Sequence, residues 1–208
     1  MTTKITTETA ETIATAAKPR PSRKPAKAQL VSSKTVYNGP LFYVTTDDVI
    51  EPSGVRTRRD VVHHNGSVVV IAVQEDESGA EPRVLLEHQY RHAAKDYMWE
   101  LPAGRIDNGE AELSAARREL KEETGYSATR WKKALMFYAS PGFLRESMAV
   151  FLARGLRAGE ATPEADEVIR VKFFAVSEAV QMAVKGKLHD AKTIAGILWL
   201  AQELKTGA

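Results

Sequence analysis

One short, highly charged stretch in the middle of the chain restricts both the fold and the chemistry more than any other feature. Residues 117–125 read RRELKEETG, and the residues just before them extend a helical pattern. An apolar stripe with helical spacing predicts a helix over residues 112–124. The stripe comprises Leu113, Ala116 and Leu120. Gly125 is expected to end this helix, because glycine adopts the left-handed conformation of a helix C-terminus at little cost.

The acidic residues of this helix share a second face. Glu119, Glu122 and Glu123 lie at relative positions i, i+3 and i+4, and Arg118 stands four residues before Glu122. Three like charges on one face repel, and they lie in the half of the helix where the dipole disfavours anions. A solvated helix surface is the common explanation of such a run, whereas a hard divalent cation would remove the repulsion. The helix alone leaves both explanations open.

The composition excludes several classes of site. The 208 residues are 43% hydrophobic and contain no cysteine. One domain with a real core is therefore expected, and disulfides, zinc–thiolate sites and cysteine nucleophiles are excluded. The sequence contains no run of about 18 apolar residues, so no membrane span is predicted. The N-terminus lacks the apolar region of a secretory signal. A cytoplasmic protein that binds no membrane is expected.

The charge is unevenly distributed along the chain. Residues 1–30 contain six basic and two acidic side chains, whereas the whole chain carries a net charge of +2. The remainder is therefore mildly acidic, and no nucleic acid is expected as a partner. Residues 1–30 are rich in Thr and Ala and then in Pro, Lys and Arg, which predicts a disordered tail. A dispensable extension is favoured over a weak polyanion contact or an organelle-targeting peptide.

Hydrophobic patterning predicts a layered domain. Runs of apolar and β-branched residues predict strands at 67–73, 83–90, 134–139, 147–154 and 168–176. Ser177 is the predicted N-cap of a second helix that ends near Gly186, and a third helix is predicted to follow Asp190. Mixed strands with few helices predict an α/β or α+β fold.

The segment before and within the first helix has a specific spacing of fixed residues. Gly104 is followed after five residues by Glu110, and seven further residues lead to RELKEETG. This pattern resembles the Nudix box, a 23-residue signature of hydrolases that act on a nucleoside diphosphate linked to another group. Tyr126 stands at the last position, which is usually aliphatic, and this departure is expected to affect packing and not chemistry.

The resemblance implies a fold and a set of metal ligands. It implies a Nudix α/β/α sandwich with a mixed sheet over residues 61–208, preceded by antiparallel strands at 31–60. The implied cofactor is Mg²⁺, with Mn²⁺ as a substitute. The implied ligands are the carbonyl of Ala103 and the carboxylates of Glu119, Glu122, Glu123 and Glu167.

The resemblance also implies catalytic roles. The implied catalytic residues are Glu122, Glu123, Glu167 and Arg118. Bridging metal ions neutralise a pyrophosphate and lower the pKa of bound water, and a glutamate then takes the water proton. Arg118 resembles an arginine that orients one of the box glutamates, and Glu110 is expected to pair within the loop. Glu167 is the best match to a loop acid of the family, ahead of Glu164.

Three features outside the box narrow the substrate. Pro141, sixteen residues after the last glycine of the box, marks ADP-ribose pyrophosphatases within the family, although a simple Pro-Gly turn is the alternative. Arg91 lies in EHQYRHAAKDYMWELPAG (87–104), which resembles the same subfamily and implies a phosphate or ribose contact. A surface arginine at a strand end is the alternative. Arg59 resembles an arginine that reaches the substrate, and a structural role is equally open.

The loop that contains Pro141 implies further substrate contacts. They are Gly142, Phe143 and Glu146. Core or interface packing is the alternative for Phe143, and Leu144-Arg145 departs from the small or acidic residues of the subfamily.

Together these features imply a Mg²⁺-dependent hydrolase that splits ADP-ribose into AMP and ribose 5-phosphate. Other nucleoside diphosphate sugars, such as ADP-glucose or GDP-mannose, are the alternative substrates. An RNA-end pyrophosphohydrolase and a non-catalytic nucleotide-sensing module are more distant alternatives. The resemblance also implies a homodimer, in which the strands of residues 31–60 cross to the partner and complete the adenosine pocket.

Overall fold

The fold was analysed in a computed structural model that describes residues 26–75, 78–163 and 168–207. The described residues form eleven strands and three helices. In chain order they are β1 (Gln29–Asn38), β2 (Tyr43–Ile50), β3 (Arg56–His63), β4 (Ser67–Gln74), β5 (Arg83–Arg91), β6 (Asp96–Glu100), β7 (Ala103–Arg105), α1 (Glu112–Thr124), β8 (Ser127–Tyr138), β9 (Leu144–Arg145), β10 (Ser147–Arg157), β11 (Arg170–Ala175), α2 (Val176–Val184) and α3 (Ala191–Thr206).

The main sheet is mixed and has β4 at its centre. Its strand order is β11-β5-β4-β10-β8, with β6 paired to β5 and β7 paired to β4. β4 runs parallel to β10 and antiparallel to β5 and β7. Seven of the eight residues of β4 are buried, as expected for a strand that is covered on both faces.

Alternation along β4 creates two separate cores. The odd-numbered side chains pack against α2 and α3, and the even-numbered ones pack against α1, because successive side chains of a strand point to opposite faces. The first core includes Val69, Ile71, Val73, Ile197 and Leu200. The second includes Val68, Val70, Ala72, Ala116 and Leu120. This α/β/α arrangement confirms the predicted fold class.

The N-terminal strands form a second sheet. β1, β2 and β3 make an antiparallel meander, and β9 pairs with β3 in parallel. β1 begins at Gln29, just inside the segment predicted to be a tail, and every residue of β1 is exposed. Residues 1–25 of that predicted tail lie outside the described residues.

Two predictions of local structure were wrong. Ser177 is not the N-cap of α2, which begins at Val176 after Ala175. The backbone N–H of Ser177 instead donates to Glu81 Oε1 at 2.7 Å, and its hydroxyl donates to Oε2 at 2.9 Å. A carboxylate from another segment therefore replaces the local side-chain cap.

The strand predicted at 134–139 begins earlier, at Ser127. Residues 127–133 are mostly polar, and β8 is the edge strand of the main sheet. An edge strand tolerates polar residues that a central strand does not, so hydrophobicity alone underestimated its length.

Helix α3 follows Asp190 as predicted, and the structure shows that Asp190 is its N-cap. Its carboxylate accepts a hydrogen bond from the Thr193 backbone N–H at 2.9 Å. None of the helices in the described ranges combines the length and the apolar character needed to cross a membrane.

Candidate active site

Helix α1 is docked by its apolar stripe and ended by a glycine. Leu120 is fully buried in the second core, and truncating it to alanine is expected to cost about 2–5 kcal/mol. Gly125 has a φ of 75°, and a Cβ there would lie 2.8 Å from the Ala161 nitrogen and 2.8 Å from the Gly159 oxygen. Only glycine meets both requirements, so this position brings residues 159–161 against the C-terminal end of the helix.

Arg118 connects the acidic residues of the box. Its guanidinium donates to Glu119 Oε1 at 2.7 Å, to Glu122 Oε2 at 3.1 Å and to both oxygens of Glu110 at 3.1 and 2.9 Å. A further bond at 3.0 Å reaches the Arg105 carbonyl in the preceding loop. The hydrogen bonds to Glu110, and then the charge of Glu119, raise the pKa of Arg118 above its usual range. One cation therefore offsets the repulsion that the sequence pattern implies.

Glu110 lies within the loop as expected. The hydrogen bonds from Arg118 lower the pKa of the Glu110 carboxyl, and the Asp107 backbone N–H contributes. Glu110 thus binds Nε and Nη2 of Arg118, which leaves Nη1 for Glu119 and Glu122.

Glu119 lies directly against Gly104. A Cβ on Gly104 would lie 2.1 Å from the Glu119 carboxyl carbon. Any other residue at position 104 would displace this carboxylate, which explains physically why glycine begins the box.

Glu123 is the buried member of the cluster. It is 6% exposed, and its Oε2 accepts the Ala103 backbone N–H at 3.1 Å. This bond joins α1 to β7 and brings Ala103 beside the carboxylate, so two of the predicted metal ligands are in contact.

A second carboxyl group lies beneath Glu123. Glu87, on β5, is fully buried, and neither of its oxygens has a hydrogen-bond partner of ordinary geometry among the described residues. Burial raises the pKa of Glu87 to about 8, against the opposing charge of Arg91 and an interaction with Glu123. Burial therefore favours the protonated form of the Glu87 carboxyl.

Arg118, Glu119 and Glu123 lie, with other residues, around one cleft of about 500 Å³. Its described lining is Leu41, Arg91, Ala103, Gly104, Arg105, Asp107, Arg118, Glu119, Glu122, Glu123 and Thr162. Six sequence-predicted site residues thus lie together, from three separate segments of the chain. Thr162 lies at the rim, where its N–H donates to the Glu122 carbonyl at 2.9 Å.

The donors in the cleft suit a hard divalent cation. The carboxylates supply oxygen atoms only, which is the ligand type of Mg²⁺ and Mn²⁺. Among residues 26–75, 78–163 and 168–207, no three acidic or histidine side chains converge as a ready-made metal cluster. Glu119 and Glu122 are turned onto Arg118, but Glu122 has a side chain 43% exposed, so it is able to turn into the cleft.

Arg91 reaches the cleft from the end of β5. Its Nε donates to Glu100 Oε1 at 2.9 Å and its Nη2 donates to Oε2 at 3.0 Å. Lys192, from α3, also contacts Glu100 Oε2. Burial alone would raise the pKa of Glu100, but the hydrogen bonds and charges of Arg91 and Lys192 outweigh it and lower that pKa.

Sequence reasoning missed Glu87, Glu100 and Lys192. The first two stand next to apolar residues, in VLLEHQ and MWELP. A charge enclosed by such residues is the signal that should have been followed, because buried charges need partners. Lys192 gave no comparable signal.

The structure places the Pro141 loop elsewhere. Pro141, Gly142 and Phe143 line a second cavity of about 280 Å³, together with Val61 and Tyr138. No described residue lines both cavities. The predicted substrate contacts of this loop are therefore separated from the carboxylates within one chain.

The remaining predicted residues also lie outside the cleft lining. Arg59 is on β3 and pairs with Glu51 at 2.7 Å. Glu146 accepts the Ser67 hydroxyl at 2.7 Å and lies 3.7 Å from His64 Nδ1. Their substrate roles stay predictions. Residues 164–167, which contain Glu164 and Glu167, fall outside the described part of the chain.

Comparisons with known proteins agree with this architecture. The NUDIX domain model matches residues 63–196. The ADP-ribose pyrophosphatase of Mycobacterium tuberculosis is 36% identical over 173 residues, which cover 82% of this chain and 81% of that protein. The ADP-ribose pyrophosphatase of Bacillus subtilis is 32% identical over 179 residues, covering 85% and 94%.

A solved structure of an ADP compounds hydrolase has the same fold. It superposes with a TM-score of 0.77 at 21% identity and covers 90% of this chain and 99% of that chain. The family model and the sequence matches over most of the chain show that this protein belongs to the Nudix family and is a hydrolase of phosphorus-containing anhydrides.

Proposed function

We propose that this protein hydrolyses the pyrophosphate bond of ADP-ribose, or of a related nucleoside diphosphate sugar, with Mg²⁺ as its cofactor. One observation carries the proposal. The oxygen donors of Glu119, Glu122 and Glu123 line the same cleft as the guanidinium of Arg91. A metal site beside a cation is the arrangement that a diphosphate needs.

The metal would be held by the box carboxylates and by Ala103, with Mn²⁺ as a substitute. When bound, such a cation offsets the charge of the pyrophosphate and activates water. Arg118 orients Glu119 and Glu122 through bonds of 2.7 and 3.1 Å. Glu167 stays a proposed further ligand.

Water forms a bond to one phosphorus as a carboxylate takes its proton, and the bond from that phosphorus to the bridging oxygen breaks, so that this oxygen leaves with the other phosphate. Glu122, Glu123 and Glu167 are the proposed candidates for this base. Of these candidates, the structure describes Glu122 and Glu123, and Glu122 is the more exposed of the two. Glu122 therefore has the easier access to water. The products from ADP-ribose are AMP and ribose 5-phosphate.

The protein is also proposed to act as a homodimer. β1 exposes several apolar side chains, including Leu30 at 61% and Val36 at 55% exposure, and a second copy would cover them. In such a dimer, Arg59 and the loop of Pro141, Gly142 and Phe143, with Glu146 behind it, would contact substrate bound near the partner's strands. Light scattering of the wild type and of a Leu30→Asp/Val36→Asp variant tests this. A wild type with monomer mass would remove the dimer.

A substrate panel tests the function. ADP-ribose, ADP-glucose, GDP-mannose, a dinucleotide and a nucleoside triphosphate are incubated with the protein and Mg²⁺, and with EDTA as a control. We expect ADP-ribose to have the highest kcat/KM and EDTA to abolish turnover. Faster turnover of the dinucleotide or triphosphate than of any diphosphate sugar would contradict the proposed substrate class.

Two further outcomes concern the earlier alternatives. Release of pyrophosphate from RNA ends would support the RNA-directed activity, and binding without turnover of any compound would support a sensing module. The cytoplasmic location stays a prediction, which fractionation of cells would test.

A further inference from the structure

The Glu100 carboxylate holds the side chain of Arg91, which lines the cleft. Two nitrogens of its guanidinium bind the two oxygens of Glu100, at 2.9 and 3.0 Å. A bidentate pair of this kind defines the plane of the guanidinium as well as its position. The orientation that Arg91 presents to the cleft therefore depends on the orientation of the Glu100 carboxylate.

Glu100 is in turn held from α3. Its side chain is 2% exposed, and its Oε2 accepts from the ammonium of Lys192 as well as from Arg91. Lys192 is itself 10% exposed at the side chain and contacts Asp190 Oδ1 at 3.1 Å. The carboxylate of Glu100 thus bridges one cation in the cleft and one cation behind it.

The first turn of α3 is attached to the same strand end. Asp190 caps the helix through Thr193, and the Thr193 hydroxyl accepts the backbone N–H of Leu101 at 2.8 Å. Thr193 is fully buried. This bond places the helix start, and with it Lys192, at a fixed distance from Glu100.

Stability alone does not account for a buried lysine at this position. Burying an ammonium group costs free energy that its partners often only balance, and apolar replacements of buried ion pairs are frequently neutral. Arg91 would still neutralise Glu100 if Lys192 were absent. What Lys192 adds is a second point of attachment that determines which way the carboxylate faces.

We infer that Lys192 is a positioning residue, which acts through Glu100 to orient Arg91 toward a phosphate group of a nucleoside diphosphate sugar. The inference rests on the proposed function and deepens it, because it assigns to a residue of α3 the support of the arginine that binds phosphate. Lys192 does not line the cleft, and the contacts that connect it to the cleft run through Glu100 to Arg91.

The test compares Lys192→Met with wild type in two assays. Steady-state kinetics with ADP-ribose should show KM raised about 10-fold and kcat changed less than about 3-fold, since one charge-assisted contact is loosened. Calorimetry with α,β-methylene-ADP and Mg²⁺ should show a matching loss of affinity. Lys192→Arg should recover most of both. The matched control is Lys205→Met, which removes an exposed lysine from the same helix and should change neither value.

A double-mutant cycle separates positioning from general destabilisation. In an Arg91→Ala background, Lys192→Met should add no further rise in KM, because there is no guanidinium left to orient. An equal effect with and without Arg91, or a fall in melting temperature with unchanged KM and affinity, would overturn the inference. If Lys192→Met does not fold, Lys192→Gln keeps a donor for Glu100 and removes the charge, and the same dependence on Arg91 is expected.

The two assays also separate this inference from the proposed function. If wild type turns over no diphosphate sugar but the methylene analogue still binds more weakly to Lys192→Met, the function fails and the inference stands. If wild type is active and the lysine variant matches it in both assays, the function stands and the inference fails.

Discussion

Two groups of charged residues meet at Glu123, and they are built differently. On the cleft side, Glu119 and Glu122 share the guanidinium of Arg118, and Glu122 is 43% exposed. Behind Glu123, the carboxyl groups of Glu87 and Glu100 are shut off from solvent. Glu122, in the first group, is exposed enough to exchange a partner, whereas both carboxyl groups of the second are enclosed by the core.

The difference shows how the molecule separates reaction from support. An exposed carboxylate that exchanges an arginine for a metal ion loses little, because water and the arginine remain nearby. A buried carboxylate cannot change partners without a large desolvation cost. We therefore propose that the cleft group is the part that reacts, and that Glu100 of the buried group holds Arg91 in place.

Glu123→Gln is the change in the cleft group for which we expect the largest loss of turnover. Glutamine keeps the shape and still meets the Ala103 N–H through its carbonyl, but it removes the negative charge that a metal ion requires. We expect turnover of ADP-ribose with Mg²⁺ to fall by at least about 10²-fold. Circular dichroism should show that the fold is retained. Unchanged turnover would remove Glu123 from the site.

Arg118→Met tests whether the cleft carboxylates need their arginine. The variant loses the bonds to Glu110, Glu119 and Glu122, so the carboxylates repel and lose their orientation. We expect kcat/KM to fall by about 10- to 100-fold and the apparent affinity for Mg²⁺ to change with it. Arg117→Met is the matched control, because the adjacent Arg117 lies over the Trp131 ring. Equal losses in the two variants would argue against a specific role for Arg118.

The cleft group was predictable because its geometry is mostly local. A helix places residues three and four positions apart on one face, so RELKEETG alone implies that its acids meet. Gly125 and Asp190 were predicted on similar local grounds, and both end or begin their helices as expected.

The buried group was not predictable in the same way. Glu87 and Glu100 and the two cations near them, Arg91 and Lys192, come from separate positions of the sequence, and only the tertiary fold brings them together. The same holds for Ser177, whose local sequence predicts a cap that Glu81 in fact provides. The Pro141 loop was assigned by resemblance alone, and resemblance carries no information on which cavity a loop lines in one chain.

Glu87→Gln tests the buried group through its pH dependence. The pKa of Glu87 is raised from 4.5 to about 8, so between these values the folded protein holds a proton that the unfolded chain has lost. The free energy of unfolding should therefore decrease as pH rises through this window, by up to about 1.4 kcal/mol for each pH unit. Glutamine stays neutral, so the variant should show a flatter slope in urea unfolding with EDTA present. Glu178→Gln, at an exposed position of α2, is the control, and identical slopes in all three proteins would show that Glu87 does not titrate in this window.

Phe143→Ala produces the smallest expected change and tests the second cavity. Phe143 is 56% exposed and shares no cavity with the carboxylates of its own chain, so its truncation should leave kcat unchanged. If the ring contacts the base or ribose in a dimer, KM should rise about 3- to 10-fold, near the lower end for loss of a stacking contact. Val184→Ala, which truncates an apolar side chain 70% exposed on α2, should leave KM as it is.

A lower kcat of Phe143→Ala with unchanged KM would instead connect this cavity to the carboxylates, and the two cavities would then no longer be distinct in function. No change in either value would remove the loop from the substrate site, and the cleft with Arg91 would then have to provide the recognition by itself.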